Sequence, residues 1–177
     1  MKYMGSKNRH AKEILPIILK GRKEDQWYIE PFVGGANLID KVTGKRLGAD
    51  ADINTISALL SIRDRLESLP KNNTEFSEDD YKNAKQDITY DNRGYIGYAL
   101  SYGGKWFGGW CRDSKGGRDY VCEAFRNAEK QSTLLSGISL VHSCYTELDI
   151  PNNSLIYCDP PYSNTTKYAA SFDHSDF

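Results

Sequence analysis

The feature that most constrains the fold is an alternation of short apolar runs and segments of helical periodicity in the first 66 residues. Residues 27–29, an apolar run, predict one strand, and residues 46–49 predict a second short strand. Residues 36–42, and a segment that starts at Asn54 as an N-cap, predict helices. A further amphipathic helix, ending near Gly21, is predicted by Ala11, Ile14, Leu15, Ile18 and Leu19. This strand–helix–strand–helix order indicates an α/β fold with a parallel sheet.

The pattern changes after residue 66. Residues 67–137 are mostly polar, with helices predicted at 77–86 and 120–135, and they are interpreted as an inserted helical subdomain. Strands are predicted again at 138–142 and 155–158. We therefore expect a Rossmann-like α/β domain built from residues 1–66 and 138–177, interrupted by the helical insertion.

Composition limits the classes of protein to consider. The chain has 177 residues and a net charge of −1, so it is not generally basic, although a local basic face is compatible with that charge. The four cysteines lack C-x-x-C spacing and the three histidines are scattered, so no metal site is predicted. No apolar run is long enough for a membrane span, and we expect a cytoplasmic protein with reduced cysteines.

The motif richest in chemistry is Asp159-Pro160-Pro161-Tyr162, which directly follows a predicted strand. A carboxylate accepts hydrogen bonds from an amino group, and a proline offers a carbonyl without a competing N–H. A tyrosine ring offers a face on which a nucleobase stacks. The motif therefore suits an exocyclic amino nitrogen that must be held and made nucleophilic, although a simple turn after a strand is the alternative.

A glycine-bearing turn follows the first predicted strand, where Pro31 and Phe32 precede Gly34 and Gly35. Glycines let a ligand approach the backbone, and the predicted helix after the turn would receive a carboxylate at its amino end. The turn is not G-x-G-x-x-G, and its apolar wall favours an uncharged thioether or a sulfonium over a phosphate. A tight strand-to-helix turn without a ligand is the alternative.

Two further segments are candidates for cofactor contacts. Asp52, with Asp50 as a rival, follows the second predicted strand, where an acid is well placed to hold ribose hydroxyls; helix capping is the alternative. Near the amino terminus, Lys7 follows Tyr3 and small residues and could reach an anionic group. A flexible charged terminus is the other interpretation of that segment.

Basic and aromatic residues alternate on a glycine-rich stretch of the insertion, residues 105–118. Its cations Arg112, Lys115 and Arg118 could contact phosphates, and its rings could stack on or wedge between bases. The alternative is a solvated loop over a small aromatic core.

Taken in order, these motifs resemble those of the Dam-type adenine-specific DNA methyltransferases, over nearly the whole chain. Residues 2–7 resemble the family's amino-terminal cofactor motif, and residues 31–35 its proline–phenylalanine–glycine loop. Residues 51–54, Ala-Asp-Ile-Asn, are similar to its acidic ribose motif, which favours Asp52 over Asp50. Asp159-Pro160-Pro161-Tyr162 is similar to its catalytic tetrapeptide.

The resemblance implies a class I methyltransferase that uses S-adenosylmethionine to methylate adenine in duplex DNA, in a bacterial or phage-infected cell, as in restriction–modification. The adenine would be flipped out of the duplex, with Tyr162 stacked on it and with Asp159 and Pro160 accepting its amino protons. Pro161 completes the catalytic set. The resemblance also implies a set of residues that contact the cofactor, namely Tyr3, Lys7, Pro31, Phe32, Gly34, Asp52, Ile53 and Asp159.

Two departures from the family pattern bear on these expectations. An acid that often contacts the cofactor's adenine is replaced here by Ser143, Cys144 or Tyr145. The chain also stops soon after the tetrapeptide, so we expect a truncated form that lacks carboxyl-terminal strands, has weak activity or none, and could self-associate through an open sheet edge. The alternatives are a non-catalytic cofactor- or DNA-binding remnant, and methylation of cytosine or of a protein amide.

Overall fold

The computed structural model describes residues 1–113 and 115–161. The strands in these residues are β1 (Tyr28–Glu30), β2 (Arg46–Asp50), β3 (Ile138–His142) and β4 (Leu155–Ile156). The α-helices in these residues are α1 (Ala11–Ile18), α2 (Ile53–Asp64), α3 (Glu78–Gln86), α4 (Arg93–Ala99) and α5 (Tyr120–Leu135). None of these helices is long and apolar enough to cross a membrane.

The described strands form one all-parallel sheet in the order β3-β2-β1-β4. The α/β class and the parallel sheet are therefore confirmed. The chain extends the sheet from β1 to β2 and β3 on one side, and then returns to place β4 on the other side of β1. This order matches the first four strands of doubly wound folds, where ligands bind at the carboxyl ends of the strands beside the reversal point.

The hydrophobic core begins on the central strand and continues into the helices. Tyr28 and Ile29 of β1 are fully buried, which explains the apolar run that precedes Glu30 in the sequence. Helix α2 packs against both α4 and α5, and Tyr95 of α4 and Leu135 of α5 lie in the same core as β1. Helices from the predicted insertion thus share one core with the sheet.

The helix predicted at residues 36–42 is wrong. The structure has only a 3-10 turn, Ile39–Lys41, preceded by a tight turn in which Gly34 and Ala36 have positive φ angles of 48° and 56°. Left-handed residues interrupt the i to i−4 hydrogen bonds of an α-helix. The helix amino end that was expected to receive a ligand's carboxylate is therefore not formed.

Three smaller expectations also change. Asp52, not Asn54, caps α2, because its side chain accepts from the Asn54 backbone N–H. Strand β4 ends at Ile156, two residues before the predicted end.

Helix α4 was not predicted, because Gly94 and Gly97 in its sequence favour a loop. Gly94 permits close packing, since an added Cβ would lie 2.5 Å from a backbone oxygen of α2.

Candidate functional site

A cleft with about 480 Å³ of empty space, open solvent included, lies at the carboxyl ends of β1 and β4. This is the position at which the strand order reverses. Five residues predicted to form the site line it, namely Tyr3, Lys7, Phe32, Gly34 and Asp159. Segments far apart in sequence therefore meet at the place where this fold class binds ligands.

One wall of the cleft is formed by residues 1–7, here named the strap. The Tyr3 ring lies over the glycine turn, close enough that a Cβ on Gly34 would meet it at 2.9 Å. The same ring packs against Tyr98 with centroids 4.9 Å apart. The backbone N–H of Met4 donates to the Gly104 carbonyl at 3.0 Å. The strap is therefore held between the β1 turn and the loop after α4.

We expect Gly104→Ala to displace the strap. An added Cβ would lie 2.7 Å from the Tyr3 backbone, and the residue has a φ of +67°, so the variant meets both a clash and backbone strain. Gly103→Ala is the matched control, because its φ is +66° but nothing lies within 4 Å of the added Cβ. Thermal unfolding should show a loss of roughly 1 kcal/mol for Gly103→Ala and about 2–4 kcal/mol for Gly104→Ala. Equal losses would contradict this packing.

The predicted catalytic acid is paired inside the cleft. The Lys7 ammonium donates to Oδ2 of Asp159 at 2.5 Å, and also to the Gly5 carbonyl at 3.2 Å. About one fifth of each side chain of the pair is exposed, with values of 22% for Lys7 and 21% for Asp159. The strap thus brings a cation to the tetrapeptide.

Sequence reasoning assigned no role to Glu30, the last residue of β1, which also lines the cleft. Its side chain is buried and accepts a hydrogen bond from the Tyr28 hydroxyl at 2.9 Å. Burial raises the pKa of Glu30 to about 8, so the carboxyl group holds a proton at neutral pH. One signal in the sequence could have identified Glu30 as a site residue. It is an acid that ends an otherwise apolar strand, directly before the Pro-Phe turn.

Asp50 is tied to the glycine turn. Its carboxylate accepts the backbone N–H groups of Gly34 and Asp52, both at 3.0 Å. Burial raises the pKa of Asp50 to about 6. A carboxylate has about four lone-pair positions, so these two bonds leave capacity for further donors.

The carboxylate of Asp52 has a different set of hydrogen-bond partners from that of Asp50. It accepts from the Asn54 backbone and side chain, both at 2.9 Å, from the Thr55 hydroxyl at 3.3 Å, and from the Tyr98 hydroxyl. These four donors match the capacity of a carboxylate. Neither Asp52 nor the neighbouring Ile53 is among the residues that line the cleft. The helix-capping alternative describes what Asp52 does in this structure.

The loop after β3 reaches the cleft through an aromatic contact. The Tyr145 ring packs against Phe32 with centroids 5.4 Å apart. Pro31 is buried beneath the turn and does not line the cleft. Pro160 and Pro161 are half-buried beyond Asp159, and Tyr162 lies outside the described residues.

The predicted DNA-contacting cations are exposed on the surface. Arg112 lies 3.6 Å from a Glu78 carboxylate oxygen, and Arg118 makes a two-bond pair with Glu123 at 2.7 and 2.8 Å. The backbone N–H of Lys115 donates to Asp113. The aromatic residues of the same stretch pack with Tyr81 and Tyr98, as the small-core alternative expects; they are Trp106, Phe107 and Trp110.

Compared with models of known protein families, the sequence matches none, and it matches no curated protein.

Proposed function

We propose that this chain is an S-adenosylmethionine-dependent DNA methyltransferase that acts on the exocyclic amino group of adenine. The observation that carries the proposal is the convergence of the strap, the Pro-Phe-Gly turn and Asp159 on one cleft at the reversal point of the sheet. A chance resemblance of separate short motifs would not require them to meet there. The class I methyltransferase fold and a target-recognition role for residues 67–137 belong to the same proposal.

The residues of the cleft suit the cofactor. Phe32 and Tyr157 offer apolar surface to the cofactor. Asp50, like Asp52, does not itself line the cleft, but it bonds to Gly34, which does, and it keeps acceptor capacity for a ribose diol.

Chemistry at this site depends mainly on positioning and electrostatics. When bound, S-adenosylmethionine supplies an electrophilic methyl group. Asp159 and the carbonyl of Pro160 would accept hydrogen bonds from the two amino N–H groups of the target base, which favours a nitrogen whose lone pair is available for attack. After methylation the nitrogen would give up one proton, by way of Asp159 or directly to solvent. No covalent bond between enzyme and substrate is needed.

Asp50→Asn is expected to weaken cofactor binding more than Asp52→Asn does. Asparagine at position 50 replaces one acceptor oxygen with a donor next to the turn, and we expect roughly a tenfold loss of affinity. Asp52→Asn disturbs a helix cap and should mainly lower stability, by about 1 kcal/mol. Calorimetric titration, with thermal unfolding of each variant, separates the two effects. A larger loss of affinity in the Asp52 variant would restore the ribose role predicted from the sequence.

Neutralising Arg112, Lys115 and Arg118 together is expected to weaken binding to duplex DNA and to flatten its salt dependence. Removing one phosphate contact reduces the slope of log K against log salt by about 0.9. Fluorescence anisotropy at several salt concentrations measures both quantities. An unchanged affinity and slope would place the DNA-binding surface elsewhere.

The function is tested by incubating the chain with unmethylated duplex DNA and methyl-labelled S-adenosylmethionine, followed by mass analysis of the nucleosides. We expect label in N6-methyladenine. Label in a methylated cytosine would show that cytosine is the target base. Label in protein alone would favour a protein amide as the substrate. Cofactor binding without any transfer would favour a non-catalytic protein.

A further inference from the structure

Lys7 and Asp159 form an ion pair that joins the two ends of the described chain. They are 152 positions apart, and the Lys7 ammonium lies 2.5 Å from Oδ2 of Asp159. A hydrogen bond between two charged groups is stronger and more directional than a neutral one. The pair therefore fixes the position of one carboxylate oxygen relative to the strap.

The sheet does not by itself orient this carboxylate. Strand β4 ends at Ile156, and the Tyr157 N–H still donates to the Ile29 carbonyl at 2.9 Å. Asp159 lies two residues further along, on an irregular segment. An acid placed beyond the end of a strand needs side-chain contacts to hold one rotamer.

The ammonium group of Lys7 is itself held by the fold. It donates to the Gly5 carbonyl at 3.2 Å, and the Lys7 carbonyl accepts the His10 N–H at 2.9 Å, where the helical segment begins. Upstream, the Met4 N–H donates to the Gly104 carbonyl. The strap therefore delivers a positive charge to a defined point of the cleft.

We infer that Lys7 is a positioning residue for Asp159, holding its carboxylate in the orientation that accepts a proton of the target amino group. This inference rests on the proposed function, and it differs from the cofactor contact that the sequence resemblance implies for Lys7. A carboxylate has about four lone-pair positions, so it can accept from a lysine and from a substrate amino group at once. Lys7 keeps the acid oriented, and Asp159 contacts the substrate.

The test is Lys7→Met in the full chain, with separate measurement of cofactor affinity and of the methyl-transfer rate at saturating cofactor. We expect the rate to fall about 10- to 100-fold, as when a supporting contact of a reactive group is removed. Cofactor affinity should stay within about threefold of wild type. Lys7→Arg, which keeps the charge, should recover part of the rate. Lys12→Met, which removes an exposed lysine from the nearby helix α1, should alter neither quantity.

A large loss of cofactor affinity with an unchanged rate would overturn the inference and make Lys7 a cofactor ligand. An unchanged cofactor affinity together with an unchanged transfer rate would also overturn the inference. A double-mutant cycle of Lys7→Met and Asp159→Asn in urea unfolding gives a readout that does not need activity. We expect the two changes to be non-additive. If wild type neither binds S-adenosylmethionine nor transfers a methyl group, the proposed function fails. The cycle still tests the ion pair by itself, and additive effects would disprove it.

Discussion

Asp159→Ala is expected to abolish methyl transfer while leaving the protein folded. The amino nitrogen of adenine is a poor nucleophile, because its lone pair is delocalised into the ring. Removing the carboxylate removes an acceptor that favours a localised lone pair, and we expect a rate loss of at least about 100- to 1,000-fold, as for other preorganised electrostatic groups. The assay is single-turnover transfer of a labelled methyl group to duplex DNA.

The matched control for this variant is Asp149→Ala, which removes an exposed acid from the loop after β3. It should transfer methyl groups at the rate of wild type. Cofactor affinity of Asp159→Ala should fall only modestly. Transfer by Asp159→Ala as fast as by wild type would disprove the proposed mechanism, whereas a parallel loss in both variants would indicate a general structural effect.

Glu30→Gln is expected to raise stability at alkaline pH and to change little in acid. In the unfolded chain Glu30 loses its proton near pH 4.5, but in the folded protein burial raises its pKa to about 8. The folded state therefore binds more protons between these values, and the contribution of Glu30 to stability falls as pH rises from about 4.5 to 8. Glutamine carries no charge at any of these pH values and still accepts a hydrogen bond from Tyr28.

At pH 8.5 the variant should exceed wild type by on the order of 2–4 kcal/mol, or roughly 5–15 °C in Tm, and the two should converge near pH 4.5. Thermal unfolding across this pH range measures the difference. Glu129→Gln, at an exposed position of α5, should follow wild type throughout. Parallel pH profiles for Glu30→Gln and wild type would show that this carboxyl group is ionised when folded.

Much of the architecture was predictable because burial leaves a clear trace in sequence. Strand β1 is buried along its length, and its residues Tyr28 and Ile29 appear in the sequence as an apolar run before Glu30. The amphipathic helix α5 was predicted with the bounds that the structure has. The cleft could also be anticipated, since turns at the carboxyl ends of parallel strands meet at one edge of a sheet. Phe32, Gly34 and Asp159 were assigned to one site through the resemblance to the methyltransferase family, and all three line the cleft.

The features that could not be predicted from the sequence depend on contacts in the folded structure. The use of Asp52 as a helix cap is set by four donors, including Tyr98, which lies 46 residues away in sequence. Nothing local to Glu30 predicts that its carboxyl group is buried. The glycines of α4 suggest a loop until the close packing of Gly94 against α2, and of Gly97 against Trp106, is known. The local sequence pattern identifies helices and strands. Whether a carboxylate has all its hydrogen-bond acceptors occupied, or is buried, depends on the tertiary structure.

Calorimetric titration of the chain with S-adenosylmethionine, alongside Asp50→Asn and the strap variant Gly104→Ala, decides whether the cleft is a cofactor site. We expect saturable one-to-one binding by wild type, weaker binding by Asp50→Asn, and loss of binding when the strap is displaced. Absence of detectable binding at millimolar cofactor by folded wild-type protein would contradict the assignment of the cleft and, with it, the proposed methyltransferase activity.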